Sequence, residues 1–181
     1  MGKNRAMPDR LRLPLSRWPM AALRHLLPSS CALCGAGCDG VVCPPCRAQY
    51  AGLPPASCTR CANPLRMVDE LHADTICNTC QAYPPAFDET VAAVEYAAPL
   101  DQLVLQLKFG ARLALAPWFA QLLRDAVQAR GSRALPDLLC PVPLGQARLV
   151  ERGFNQSLEI ARPLAASLGV ALHPRLAERT V

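Results

Sequence analysis

The chain has 181 residues, 51% hydrophobic and 18% charged, a composition that excludes a disordered polymer and fits one ordinary domain plus a small one. Its net charge of +5 sits entirely in the first 28 residues, because the remainder holds basic and acidic side chains in equal number. That balance argues against a phosphate-backbone binder, and no apolar run is long enough to span a bilayer.

Residues 1–28 are a basic leader in which Lys3, Arg5, Arg10, Arg12, Arg17 and Arg24 face one acid, Asp9. Pro8, Pro14 and Pro19, together with the arginines, interrupt the unbroken apolar stretch that a secretory signal needs. A cytoplasmic, reducing location follows as the expectation. The leader reads as a solvated, loosely helical or disordered tail, with nucleic-acid contact as its alternative role.

Residues 29–86 hold eight of the ten cysteines in four Cys-x-x-Cys pairs: Cys31/Cys34, Cys43/Cys46, Cys58/Cys61 and Cys77/Cys80. Each pair aims two sulfurs at one point, and two pairs complete a tetrahedral shell. Taken in chain order, the spacings are those of zinc ribbons, although the sequence leaves sequential and interleaved pairing open. A disulfide framework requires an oxidising compartment that the leader does not provide, and a redox role for one pair explains only a quarter of the pattern. Two structural zinc ions are therefore expected; a shell of four cysteines has no open position for catalysis. Arg47, Arg60 and Arg66 are outnumbered by Asp39, Asp69, Glu70 and Asp74, so the module is net anionic before its thiolates are counted. Cys38 reads as a bystander, or as a replacement ligand if the set is different. His72 reads as a surface residue.

Residues 87–181 read as an α/β segment. Val91–Tyr96 is patterned as a strand. Pro99 opens a helix with Leu100, Leu103, Val104 and Leu107 on one face, ended by Gly110. A second helix spans about Ala114 to Arg130 with Trp118, Leu122 and Ala126 in a stripe, Pro117 in its first turn and Gly131 as its stop. Leu138–Pro143 reads as a buried parallel strand, Gly145–Gly153 as a polar, basic loop, and Asn155–Leu168 as a third helix that Pro163 should kink. Cys140 reads as a small core residue and His173 as a surface one. Two strands are too few for a sheet of this kind, and a further strand is expected near Val181.

The order of Cys-x-x-Cys pairs, Leu105-Gln-Leu-Lys-Phe-Gly110, Pro141-Val-Pro-Leu144 and Arg152-Gly-Phe-Asn-Gln156 resembles the ComF family. These are amidophosphoribosyltransferase-like proteins linked to natural competence and DNA uptake in bacteria. The likeness covers about residues 29–181. It implies a double zinc ribbon joined to a type I phosphoribosyltransferase fold, a parallel sheet with flanking helices that binds phosphoribosyl pyrophosphate with Mg2+ and displaces pyrophosphate from the sugar C1. Such chemistry needs backbone N–H groups around phosphates and cations against the leaving group. The resemblance places Pro141, Val142 and Pro143 on the pyrophosphate-side loop, with Arg148 and Arg152 as cations beyond it. Asn155 and Gln156 are then polar contacts, and Lys108 and Arg112 approach the same pocket.

Each of these residues also has a plainer role. Asn155 suits a helix N-cap, and Phe154 a hydrophobic staple onto Leu158. Arg148 and Arg152 suit solvated loop charges, and Lys108 suits the negative end of its helix. The family's acidic pair followed by a Thr/Gly-rich turn does not occur in the sequence; Asp69-Glu70 and Asp88-Glu89 stand in other contexts. That element would lie beyond Val181, so the chain reads as the N-terminal part of a family protein, with no turnover expected of it alone. The alternative is a non-catalytic ribbon module that docks onto proteins or DNA of the uptake or recombination machinery, with Leu53–Pro55 and Tyr83–Pro85 as contact segments.

Overall fold

The structure is a computed structural model that describes residues 29–52, 56–65, 76–131 and 134–179. The leader, Leu53–Pro55, the Asp69-Glu70 pair, His72 and Val181 lie outside the described residues.

The cysteine region begins with β1 (Ser29–Ser30) antiparallel to β2 (Gly37–Cys38), followed by α1 (Pro44–Tyr50). Pro44 and Pro45 occupy the first helical positions, where a missing N–H costs nothing. The second half repeats the plan: an antiparallel bridge joins Ser57 to Pro64, and α2 (Asn78–Ala82) follows. In both turns the first cysteine's N–H donates to the carbonyl five residues on, Cys31 to Ala36 at 2.8 Å and Cys58 to Asn63 at 2.8 Å. The carbonyls of the same two cysteines accept from Gly35 and Ala62 at 2.9 and 2.8 Å.

Beyond the ribbons come α3 (Leu100–Phe109), α4 (Leu115–Ala129), β3 (Leu138–Leu139), α5 (Gln146–Arg152), α6 (Gln156–Leu168) and β4 (Ala171–Leu172). β3 and β4 pair in parallel, Leu138 with Ala171 and Leu139 with Leu172, and α6 between them packs along α4. The apolar stripes of α3 and α4 are buried as expected, with Leu103, Leu107 and Leu115 at 0–1% exposure. α6 runs on through Pro163.

One apolar cluster joins the two regions. Cys31, Val42, Cys43 and Cys46 of the first ribbon pack with Leu100, Leu103, Leu107, Leu115, Trp118, Phe119 and Leu122. The Arg47–Asp125 ion pair at 2.7 Å also links α1 to α4, but both side chains are about two-fifths exposed. Such a pair is worth roughly 0.2–1 kcal/mol, whereas burying each large aliphatic residue is worth about 1.5–3 kcal/mol. Apolar packing holds the first ribbon in place.

Three expectations are corrected. Val91–Tyr96 forms no strand; it has no partner strand among the described residues, and Ala93 and Val94 pack against the helical cluster instead. The Leu138–Pro143 run forms a strand only over Leu138–Leu139, and its partner is Ala171–Leu172, ahead of the position expected near Val181. Gly145–Gly153 is mostly helix, with Gly145 as N-cap and Gly153 at φ 80° as C-cap. α5 buries no residue, so no apolar period revealed it. The parallel sheet with flanking helices is thus represented, among the described residues, by a two-stranded pair.

Candidate metal centres and the adjoining cleft

The cysteines converge in two sets, Cys31/Cys34/Cys43/Cys46 and Cys58/Cys61/Cys77/Cys80, with the sulfurs of each set within 4.8 Å of one another. Pairing is sequential, which the spacing alone left open. The Cys34–Cys43 and Cys61–Cys77 sulfur separations are both 3.7 Å. A tetrahedron with metal–sulfur bonds of about 2.3 Å has edges of about 3.8 Å, whereas a disulfide needs about 2.05 Å. All ten cysteines are free thiols, and Cys38 stands apart, its sulfur donating to the Gly40 carbonyl at 2.9 Å. Donor set, number and separation fit zinc; when bound, it would act as a four-way cross-link.

The backbone prepares the sulfurs for negative charge. The N–H groups of Cys43 and Cys77 point at the sulfurs of Cys31 and Cys58, each at 3.3 Å. Burial works to raise Cys31 and Cys58, but N–H donation from Cys43, Cys34 and Leu33, and from Cys77, Cys61 and Arg60, brings both thiols down to about 6. Burial, and then the neighbouring thiols of each set, push Cys46 and Cys80 up to about 12. At neutral pH the metal must therefore displace protons from Cys46 and Cys80.

The sign follows from that displacement. Metal uptake releases protons, so apparent zinc affinity falls as pH falls, and falls more steeply below about pH 6, where Cys31 and Cys58 also become protonated. Competition against a chelator of known pH dependence, run between pH 5 and 8, should show this steepening.

An apolar cleft of about 410 Å³ lies between α3, α4 and α6, with Leu107, Phe119, Leu122 and Ile160 among its walls. Lys108, Val142 and Gln156 sit on it. Lys108 also borders a smaller hollow of about 140 Å³, shared with Phe109 and Arg152. The Arg152 guanidinium lies 5.1 Å from the centre of the Phe109 ring and donates to Gln156 Oε1. Asn155 caps α6 by accepting from the Ser157 N–H at 2.9 Å, and its Nδ2 donates to the Val142 carbonyl at 3.0 Å. Its capping role is thus present, together with a tie to the Pro-Val-Pro loop. Pro141 is buried, and Pro143 shares a third hollow with Asn155. Arg112 donates to Gln106 Oε1 at 2.9 Å and Arg148 is exposed on α5; neither lines the hollows around Lys108.

Residues 22–82 match the family described as a double zinc ribbon domain. The chain is 34% identical over 156 residues to a DNA utilization protein YhgH of Escherichia coli O6:H1, covering 83% of this chain and 59% of that one. It is 38% identical over 117 residues to the YhgH protein of Salmonella typhimurium, covering 63% of this chain and 49% of that one. It is 29% identical over 133 residues to competence protein F of Haemophilus influenzae, covering 71% of this chain and 55% of that one. The ribbon match and the likeness to the YhgH and competence F proteins support assignment to the ComF family.

No solved structure matches this chain, and it spans about half the length of the curated relatives it matches. An alignment of 156 residues exceeds the 61-residue ribbon match, so the likeness to YhgH extends well into the helical region. Among the described residues no helix is long and apolar enough to cross a membrane. Sequence reasoning missed Phe109 as the platform for Arg152 and Asp125 as the partner of Arg47. The Lys-Phe dipeptide was visible, but only the fold brings its ring to an arginine 43 positions on.

Proposed function

We propose that the chain acts in DNA uptake or use as a zinc-ribbon, phosphoribosyltransferase-like protein. In this reading a double ribbon over residues 29–86 holds two structural zinc ions, and residues 87–181 carry the transferase-like part. The observation that carries it is the convergence of Lys108, Val142, Arg152 and Gln156, spread over nearly fifty positions, around adjoining hollows beside one helix. Cations, a polar amide and a proline-bounded loop are what a phosphorylated sugar would require. Arg112 and Arg148, with Pro141, Pro143 and Asn155, belong to the same proposed surface as supports or outer contacts. Mg2+ would enter with phosphoribosyl pyrophosphate and not as a resident ion.

The names of the YhgH and competence protein F relatives support a place in competence or DNA use; recombination proteins as partners and a cytoplasmic location are part of the proposal. The acidic pair with its Thr/Gly-rich turn is absent from the 181 residues, so the chain by itself is proposed to be without turnover. In a naturally competent host carrying the gene, deletion should lower transformation, and the intact gene should restore it. Unchanged transformation would sink the functional assignment. Pyrophosphate release by the purified chain with phosphoribosyl pyrophosphate and Mg2+ would overturn the non-catalytic part.

A further inference from the structure

The two cysteine sets are built on one plan but differ in what surrounds them. Cys31, Cys43 and Cys46 belong to the cluster formed with α3 and α4, whereas no cysteine of the second set belongs to that cluster or packs against it. Cys58 and Cys80 are buried and Cys61 and Cys77 half-exposed, while in the first set Cys34 alone is exposed. Opening the first set must disrupt the shared core. The second can open while that core stays intact.

A second, independent difference lies in the turns. The residue after the second cysteine of each opening pair adopts a left-handed backbone, which turns the chain so that the next residue's carbonyl accepts from the N–H of the first cysteine. In the first ribbon this is Gly35 at φ 76°, where the conformation is unstrained. In the second it is Ala62 at φ 60°, where a Cβ crowds the backbone. The second turn therefore closes around metal under strain that the first does not bear.

We propose that the two shells hold zinc unequally: the second, Cys58/Cys61/Cys77/Cys80, is an exchangeable site that empties and refills without unfolding the rest, while the first is a permanent part of the core. This inference rests on the zinc reading above. A chain that takes up no zinc defeats that reading, whereas two zincs leaving together defeats only this one. Exchange at the second ribbon would let the availability of zinc set the fold of that ribbon.

The test uses the full chain loaded with two equivalents of zinc and carrying Trp18→Phe, so that Trp118 in the shared core is the sole tryptophan. Release to 4-(2-pyridylazo)resorcinol is followed alongside Trp118 emission. One zinc should leave at least about tenfold faster than the other, with Trp118 emission unchanged during the fast phase, because local opening costs less than global opening. Ala62→Gly should slow the fast phase by roughly fivefold or more by removing the left-handed strain. Cys61→Ser should abolish the fast phase and leave the slow one, with Trp118 emission as in the parent. Release of both metals in one phase with a change at Trp118 overturns the proposal, as does a fast phase that Ala62→Gly leaves untouched.

Discussion

Replacing Cys31 with serine is expected to unfold the helical region as well as the first ribbon. Cys31 is 3% exposed, its sulfur accepts N–H groups from Leu33 and Cys43, and it packs in the cluster shared with α3 and α4. A structural zinc site is worth about 10–16 kcal/mol of apparent binding energy, as much as or more than the 5–15 kcal/mol by which whole domains are stable. Cys31→Ser should therefore bind one zinc in place of two and lose its cooperative thermal transition. Arg47→Ala removes a part-exposed ion pair to Asp125 and a long, exposed hydrogen bond to Gln121, both on α4, and should cost less than about 1 kcal/mol. Equal damage from both changes would show that the ion pair, and not the apolar core, joins the ribbon to the helices.

Leu103→Ala should produce the largest loss among changes that leave the cysteines intact. The side chain is fully buried in the middle of α3, and it belongs to the cluster that also holds Cys31 and Cys43. Truncating such a leucine costs about 2–5 kcal/mol from lost burial and the cavity left behind. A chain of this size loses about 2–4 °C of melting temperature per kcal/mol, so a fall of roughly 5–20 °C is expected. Leu105, on the same helix but 36% exposed, is the control: Leu105→Ala should stay within about 0.5 kcal/mol. Because the core is shared, Leu103→Ala should also hasten zinc loss from the first set.

The ribbons were legible because metal binding imposes its own spacing: two residues between sulfurs, twice per shell, whatever the surrounding fold. The helices α3, α4 and α6 were legible because each buries one face, which leaves a 3.6-residue period and a glycine stop in the sequence. α5 left no such trace, since Leu149 and Val150 remain exposed and nothing pulls one face inward. Val91–Tyr96 failed for the opposite reason. Its Val and Tyr content is strand-like, but a strand exists only through a partner, and pairing is not encoded in the segment itself. Of the residues that the resemblance assigned to a pocket, Lys108, Val142, Arg152 and Gln156 line adjoining hollows, whereas Arg112 and Arg148 take up positions away from the hollows around Lys108. Helices α3 and α6 carry Lys108 and Gln156, the Asn155 side chain ties down the Val142 carbonyl, and Phe109 and Gln156 hold Arg152. Arg112 and Arg148 lie at a helix end and on an unburied helix, where local pattern says little about direction.

Zinc K-edge X-ray absorption on the purified full-length chain, combined with a metal count, bears most directly on the sulfur shells that anchor this architecture. The expected result is two zinc ions per chain, each with four sulfur neighbours at about 2.3 Å and no nitrogen or oxygen in the first coordination sphere. A metal-free chain whose cysteines resist alkylation until reductant is added would contradict it.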